Sequence, residues 1–221
     1  MHPLLFGIRL VVFDLDGTLV DSVPDLAAAV DATLADLGLP PPGAARVRDW
    51  VGNGSLKLME RALADARGVA PDEALLARAH DGFLAHYGRA PSARTRLYPG
   101  VREGLAALHG RGLPLALVTN KPSAFIAPIL AGVGLEAYFG LCLGGDSLAR
   151  KKPDPAPLRH AAAHFEVAPA ASLMVGDSRH DIAAGKAAGF RTLALPYGYN
   201  HGEPVADSRP DGIVESLADL V

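Results

Sequence analysis

Apolar and polar positions divide the chain into stretches with different periodicity. Val11, Val12 and Phe13 form a continuous apolar run without polar alternation, a pattern typical of a strand buried on both faces of a parallel sheet. From residue 23 to about residue 90, apolar residues recur at helical spacing and no strand signal appears. The pattern therefore predicts one buried strand near the start of the chain, followed by a block of helices.

Four helices are predicted within this block. The first begins near Val23 and ends at Gly38, because the proline-rich run that follows forbids its continuation. The other three are predicted over residues 44–51, 55–66 and 72–88. Beyond residue 98, helices alternate with short apolar strands. These strands are predicted over residues 115–118, 141–143, 173–175 and 192–195.

Strands that alternate with helices form right-handed βαβ units and a doubly wound parallel sheet. The sequence thus predicts an α/β fold in which residues 1–20 and 98–221 form the catalytic core. Residues 21–97 are predicted to form an all-helical cap inserted after the first strand. Because ligands of open α/β sheets bind outside the carboxyl ends of the strands, such a cap would cover the site.

Composition excludes several classes of function. The formal net charge is −3 and the basic residues are scattered, so no nucleic-acid partner is expected. No apolar run reaches the roughly 18 residues of a membrane span, and residues 1–9 lack the features of a signal peptide. We therefore expect no membrane partner and a cytoplasmic location, and leave a homo-oligomer open.

Cys142 is the single cysteine and is expected to be buried, because leucines flank it.

Four loops that follow or connect the predicted strands carry polar side chains. In a parallel sheet these loops emerge at the edge where the strands end. Asp14 and Asp16 directly follow the first strand, and their side chains point the same way because residues i and i+2 share a face. Two carboxylates this close repel each other unless a cation bridges them or one carries a proton. The other polar groups are Thr18, Thr119-Asn120-Lys121, Lys151-Lys152-Pro153-Asp154-Pro155 and Gly176-Asp177-Ser178-Arg179-His180-Asp181.

The chemistry of these groups fits phosphoryl transfer. Oxygen ligands from Asp14, Asp16 and Asp177 suit a hard cation such as Mg²⁺. One aspartate can attack phosphorus to form an aspartyl-phosphate, while the second moves protons to the leaving group and from water. The phosphate oxygens would be held by Thr119, Asn120 and Lys152.

Each polar group also has a structural explanation. Asn120 has the position of a cap for the helix after Pro122. Lys152 precedes a proline, as an ordinary solvated lysine in a loop can. Ser178 and Asp181 match an N-cap and its partner in a capping box. The catalytic interpretation therefore depends on all of these groups converging at one edge of the sheet.

In chain order, these groups resemble the four motifs of the haloacid dehalogenase superfamily. The matching segments are Asp14-Leu15-Asp16-Gly17-Thr18, Val118-Thr119-Asn120, Lys152-Pro153 and Gly176-Asp177-Ser178-x-x-Asp181. The resemblance covers essentially the whole chain, and residues 21–97 match a helical cap. It implies that Asp14 is the nucleophile and that Asp16 is the general acid and base, with its backbone carbonyl on the metal.

The resemblance also implies roles for the other motif residues. Thr119 and Lys152 hold the phosphate, Asp177 is a ligand of Mg²⁺, and Asp181 supports the metal site. Thr18 and Asn120 are expected to contact a small-molecule phosphate ester as substrate.

Asp16 narrows the chemistry within the superfamily. Members that cleave carbon–halogen or phosphonate bonds lack an aspartate at this position, since neither reaction protonates an alkoxide. Mutases typically carry a histidine where this chain has Ser22-Val23-Pro24. Further stretches resemble bacterial members that hydrolyse 2-phosphoglycolate to glycolate and phosphate. They cover residues 20–26, 50–54, 151–158, 176–179 and 197–200. Alternatives are another sugar- or nucleotide-phosphate phosphatase, a phosphomutase, or a non-catalytic protein that binds phospholigands.

A glycine-rich turn of the cap is the predicted binding site for the substrate carboxylate. Backbone N–H groups of Gly52, Asn53 and Gly54 can bind an anion, with Arg48 or Lys57 nearby in sequence. The alternative is a plain turn between helices, in which the glycines adopt positive φ.

Overall fold

A computed structural model describes residues 2–221, and most of its strands belong to one parallel sheet. The strands are β1 (Leu10–Phe13), β2 (Val20–Asp21), β3 (Arg96–Leu97), β4 (Leu115–Val118), β5 (Leu141–Leu143), β6 (Ser172–Gly176), β7 (Arg191–Ala194) and β8 (Gly212–Ile213). All except β2 and β3 form a six-stranded sheet in the order β5-β4-β1-β6-β7-β8. The pairings within it are parallel, which confirms the predicted doubly wound α/β fold.

Helices cover the sheet and fill the segment after β2. They are α1 (Val23–Asp36), α2 (Ala44–Trp50), α3 (Ser55–Arg67), α4 (Glu73–Arg89), α5 (Val101–Gly110), α6 (Ile126–Val133), α7 (Ala156–His164) and α8 (Arg179–Ala188). The ends of α1 to α4 lie close to those predicted from the apolar periodicity. The helix expected after Pro122 begins with a 3-10 turn over Ser123–Phe125. Among residues 2–221, no helix is both long and apolar enough to cross a membrane.

The first strand is buried on both faces, as its unbroken apolar run predicted. Val11 and Phe13 pack into the apolar cluster on one face of the sheet, and Leu10 and Val12 pack into the cluster on the other. Burying each such side chain contributes about 1.5–3 kcal/mol to folding. Strand β1 lies between β4 and β6 in the sheet. The residues that follow it are thus held at the centre of the strand-end edge.

The helices α1 to α4 are inserted between two short strands that pair with each other. Val20 of β2 is opposite Leu97 of β3 in an antiparallel pair, so the chain leaves the core and returns to it at the same place. Asp25 of α1 fastens this junction, because its carboxylate accepts hydrogen bonds from the backbone N–H groups of Arg94 and Thr95. The sequence did not predict β2, β3 or β8, since two residues are too few to show a periodicity.

The expectation that Cys142 is buried is wrong, because its side chain is exposed. Strand β5 lies at the edge of the sheet, and successive side chains of a strand point to opposite faces. Leu141 and Leu143 pack against the apolar cluster on one face. Cys142 therefore faces the other side, where the edge of the sheet is open to solvent.

Candidate active site

Three buried aspartates meet at the carboxyl ends of the central strands. Asp14 follows β1, Asp177 follows β6, and Asp181 lies in the first turn of α8. One carboxylate oxygen of each lies within 4.8 Å of the others. This set of oxygen donors has the chemistry that a hard divalent cation requires.

Lys152 partly balances the charge of these aspartates. Its Nζ atom lies 3.0 Å from Oδ1 of Asp14 and 2.6 Å from Oδ1 of Asp181, and the residue is only 2% exposed. The structure therefore excludes the alternative that Lys152 is an ordinary solvated lysine in a loop. Burial would lower the pKa of Lys152, but the charges of Asp14 and Asp181 outweigh burial and raise it. Two of the three carboxylates contact this ammonium group and Asp177 does not, so the cluster keeps an excess of negative charge that suits a cation.

The same burial changes the acidity of the aspartates. It raises the pKa of Asp14 to about 6, although the Lys152 ammonium opposes the increase. Burial and the charges of Asp181 and Asp14 raise the pKa of Asp177 well above its ordinary value. Both carboxylates are thus held in an environment that favours a bound cation or a proton.

Replacing Lys152 with methionine is expected to destabilise the metal-free protein by about 3–5 kcal/mol at neutral pH. The substitution keeps a long side chain but leaves buried carboxylates without their counter-charge. Denaturant unfolding in the presence of a chelator measures this loss. The matched control is the exposed neighbour, Lys151→Met, which we expect to change stability by less than about 1 kcal/mol. Equal effects of the two substitutions would contradict the counter-charge role.

The carboxylate of Asp177 is fixed on both sides. Thr18 donates its hydroxyl to Oδ1 at 2.5 Å, and the backbone N–H of Tyr199 donates to Oδ2 at 2.6 Å. Gly17 adopts φ +89°, and a Cβ atom added there would lie 2.2 Å from Asp177 Oδ2, so glycine alone leaves room. Thr18 is fully buried, and its hydroxyl positions Asp177 instead of facing the substrate as the sequence suggested.

Asp181 forms the predicted capping interaction and also contacts the buried lysine. Its Oδ2 accepts hydrogen bonds from the backbone N–H and the hydroxyl of Ser178, which forms the capping box of α8. Its Oδ1 accepts from Lys152. The capping interaction therefore orients the carboxylate that holds the buried lysine.

Asp16 directs its carboxylate to a second lysine, away from Lys152. Its two oxygens lie 3.0 and 3.1 Å from Nζ of Lys121, and Ser22 donates its hydroxyl to Oδ1 at 2.5 Å. Burial would lower the pKa of Lys121, but the charge of Asp16 contributes to raising it. Sequence reasoning assigned no role to Lys121 or Ser22. The position of Lys121 directly after Thr119 and Asn120 was the available signal.

Thr119 and Asn120 lie beside this pair at the end of β4. Thr119 lines a cavity between the strand ends and the inserted helices, and its Oγ1 accepts a hydrogen bond from the backbone N–H of Lys121 at 3.3 Å. Asn120 donates from Nδ2 to the carbonyl oxygens of Lys152 and Gly52, at 2.9 and 3.0 Å. Asn120 therefore joins the cap to the core. The helix-capping alternative for it is wrong, since the following 3-10 turn has no side-chain cap.

A cavity lies between these strand ends and the inserted helices. Its core side is formed by Asp14, Asp16, Thr119, Asn120, Lys121, Pro122 and Phe125. The cap side is formed by Leu26, Val51, Gly52, Gly54, Ser55, Leu58, Phe83 and Tyr87. Both predicted catalytic aspartates therefore face one cavity, whose cap side is mostly apolar.

The glycine-rich turn of the cap touches the core and is more than a link between α2 and α3. Lys151 donates to the carbonyl oxygen of Asn53 at 2.9 Å, and Nδ2 of Asn53 lies 2.8 Å from Nε2 of His180. Burial and the neighbouring His201 lower the pKa of His180 to about 4, so its neutral ring can accept this hydrogen bond. Gly52 and Gly54 line the cavity, whereas the Asn53 side chain braces the turn against the core.

The two cations that sequence proximity suggested for this turn have other partners. Arg48 forms an ion pair with Asp21 and lies over the ring of Tyr199. Lys57 forms an ion pair with Glu60. Neither lies among the cavity-lining residues. A carboxylate in the cavity therefore needs a different charged partner.

The segment after β7 braces the junction of cap and core. Tyr199 donates its hydroxyl to Oδ1 of Asp21 at 2.5 Å, and it accepts from the backbone N–H of Ser22 at 3.1 Å. Tyr197 donates to the carbonyl oxygen of Thr18 at 2.8 Å. These tyrosines fix the residues that immediately follow the Asp14–Asp16 segment.

The fold and the strand-end aspartates define a class of hydrolase. The family model for haloacid dehalogenase-like hydrolases matches residues 8–189, and the chain belongs to this family. It is 48% identical over 212 residues to a phosphoglycolate phosphatase of Nitrosococcus oceani, covering 96% of this chain and 94% of that protein. It is 50% identical to a phosphoglycolate phosphatase of Pseudomonas syringae pv. tomato, covering 96% of this chain and 78% of the relative.

A solved structure shows the same architecture. The crystal structure of a predicted phosphoglycolate phosphatase from Haemophilus somnus 129PT superposes with a TM-score of 0.92 at 40% identity. The alignment covers 97% of this chain and 96% of that one. The relatives thus match the cap region as well as the core.

Proposed function

We propose that this protein is a Mg²⁺-dependent phosphomonoesterase that hydrolyses 2-phosphoglycolate to glycolate and phosphate. The observation that carries the proposal is the buried cluster of Asp14, Asp177, Asp181 and Lys152 beside a cavity that Asp16 also lines. The names of relatives that are 48% and 50% identical supply the substrate.

In the first step, a carboxylate oxygen of Asp14 attacks phosphorus and forms the aspartyl-phosphate. The bond from phosphorus to the ester oxygen breaks, and the leaving alkoxide takes a proton from Asp16. In the second step, Asp16 takes a proton from water as the water oxygen attacks phosphorus. Phosphate leaves and the Asp14 carboxylate is restored. Lys152 and the Thr119 hydroxyl are the groups assigned to the phosphate oxygens.

The donor set fits a magnesium ion. Asp14 and Asp177 would bind it through their carboxylates, and Asp16 through its backbone carbonyl, since the Asp16 carboxylate is engaged by Lys121 and Ser22. Both oxygens of Asp181 already accept hydrogen bonds, so Asp181 would support the site without binding the ion. When bound, the cation offsets the repulsion between the attacking carboxylate and the phosphate.

The segment of residues 21–97 acts in this proposal as a cap that opens to admit substrate and closes over it. The antiparallel pair of β2 and β3 joins it to the core, and the cavity lies between the two parts. Closure would exclude bulk water from the first step.

A panel of phosphate esters tests the proposal. With Mg²⁺, the protein is expected to release phosphate from 2-phosphoglycolate faster than from hexose phosphates or nucleotides, and a chelator is expected to abolish release. The measurement is the rate of free phosphate release from each ester, expressed as kcat/KM. Strong preference for hexose phosphates would reject the substrate, and release that survives chelation would reject the metal. Absence of release from every ester would favour a non-catalytic protein that binds phospholigands.

A further inference from the structure

A buried tyrosine of the cap has an unpaired hydroxyl group beside the cavity. Tyr87 of α4 is 2% exposed and lines the cavity. Its hydroxyl has no hydrogen-bond partner anywhere in residues 2–221. Burying an unpaired hydroxyl costs about 1–3 kcal/mol, a cost that phenylalanine would avoid at the same position. Because Tyr87 also lines the cavity, a ligand bound there can pair with this hydroxyl.

The ring that carries this hydroxyl is held firmly. It stacks on Phe83, with ring centroids 5.5 Å apart, and meets the edge of Phe125 at 4.9 Å. Phe83 and Phe125 also line the cavity. The aromatic packing thus fixes where the hydroxyl lies, so a ligand would meet a preformed donor.

Lys121 supplies a positive charge next to the tyrosine. Its Nζ atom lies 4.7 Å from the centroid of the Tyr87 ring. An ammonium group has three N–H donors, and this one donates to the two oxygens of Asp16. The hydroxyl of Ser55, another cavity residue, is already bonded to His80 at 2.8 Å. Tyr87 therefore supplies the unpaired hydroxyl of the mostly apolar cap side, and Lys121 lies beside it on the core side.

We propose that Tyr87 and Lys121 together bind the carboxylate of the substrate, which is the end that is not attacked. This inference rests on the function proposed above. In 2-phosphoglycolate a single CH₂ group separates the carboxylate from the ester oxygen that Asp16 protonates. The carboxylate partner must therefore lie next to Asp16, and Lys121 directly contacts Asp16. Tyr87 donates its O–H, Lys121 donates an N–H, and the apolar wall disfavours other anchoring positions.

The test is Tyr87→Phe, which removes only the hydroxyl. We expect kcat/KM for 2-phosphoglycolate to fall about tenfold to hundredfold, the usual effect of a lost hydrogen bond to a charged group. For ethyl phosphate, which has a similar length and no carboxylate, we expect a change of less than about twofold. The matched control is Tyr98→Phe, since the Tyr98 hydroxyl is also buried without a partner in the described part of the chain but lies outside the cavity lining.

A binding measurement separates this inference from the proposed function. Calorimetry with 2-phosphoglycolate on the Asp14→Asn protein, with and without Tyr87→Phe, is expected to show a similar loss of affinity. If the wild-type protein does not turn over 2-phosphoglycolate, the proposed function fails, while the affinity ratio still tests the carboxylate site. Equal losses for both esters, or unchanged kcat/KM and affinity for 2-phosphoglycolate, would overturn the inference. The first result would assign Tyr87 a purely structural role.

Discussion

Replacing Asp14 with asparagine is expected to lower kcat for 2-phosphoglycolate by at least about 10⁴-fold. The amide has the same shape as the carboxylate but is a poor nucleophile, so no aspartyl-phosphate can form. The substitution also removes the charge that lies 3.0 Å from Lys152. Steady-state phosphate release in Mg²⁺ measures the loss. Rapid acid quench followed by intact-mass analysis is expected to show the phosphorylated wild-type protein and no such species for the variant.

The control for this experiment is a second buried aspartate that lies outside the cavity. Asp25 is buried and accepts hydrogen bonds from Arg94 and Thr95 at the junction of cap and core. The Asp25→Asn variant makes the same chemical change, and we expect it to keep turnover within a few fold while lowering stability. Near wild-type turnover by Asp14→Asn, with deamidation excluded by mass, would refute nucleophilic attack by this residue.

The sequence predicted those parts of the site that depend on local pattern. Asp14 and Asp177 each follow a short apolar run, so their place at the carboxyl edge of a parallel sheet could be inferred without long-range information. The parallel sheet then brought Lys152 to the same edge. Each of these positions follows from the order of strands and helices alone.

The parts that sequence did not predict depend on contacts between distant segments. The periodicity of α4 indicates a buried face for Tyr87, but not that its hydroxyl lies unpaired beside Lys121. Thr18 was expected to face the substrate, whereas its hydroxyl bonds Asp177, which is 159 positions away. Cys142 was misplaced because its leucine neighbours do not reveal that β5 is an edge strand.

The structure separates two aspartates that lie two residues apart after one strand. Asp14 is paired with Lys152 in the cluster of buried aspartates, and Asp16 is paired with Lys121 near the cap. Each carboxylate thus has its own buried ammonium group. This arrangement reduces their mutual repulsion and gives them different surroundings, as the distinct roles proposed for them in nucleophilic attack and proton transfer require.

Replacing Asp16 with asparagine is expected to lower kcat for 2-phosphoglycolate by about 10²–10⁴-fold, the usual contribution of general acid and base catalysis. The loss should depend on the leaving group. With p-nitrophenyl phosphate the leaving phenolate needs little protonation, so the first step should remain fast. The second step still lacks its general base. We therefore expect a stoichiometric burst of p-nitrophenolate, followed by slow turnover and accumulation of the aspartyl-phosphate.

Ser22→Ala provides the matched comparison, because it removes the hydrogen bond to Oδ1 of Asp16 and leaves the carboxylate and Lys121 in place. We expect a smaller loss of kcat and no burst.

Mg²⁺ affinity should change less in Asp16→Asn than in Asp177→Asn, since the asparagine keeps the backbone carbonyl assigned to the ion. Equal losses of kcat on both esters, without a burst, would reject the proton-transfer role. A strong loss of Mg²⁺ affinity would instead place the Asp16 carboxylate on the metal, which would require it to leave Lys121.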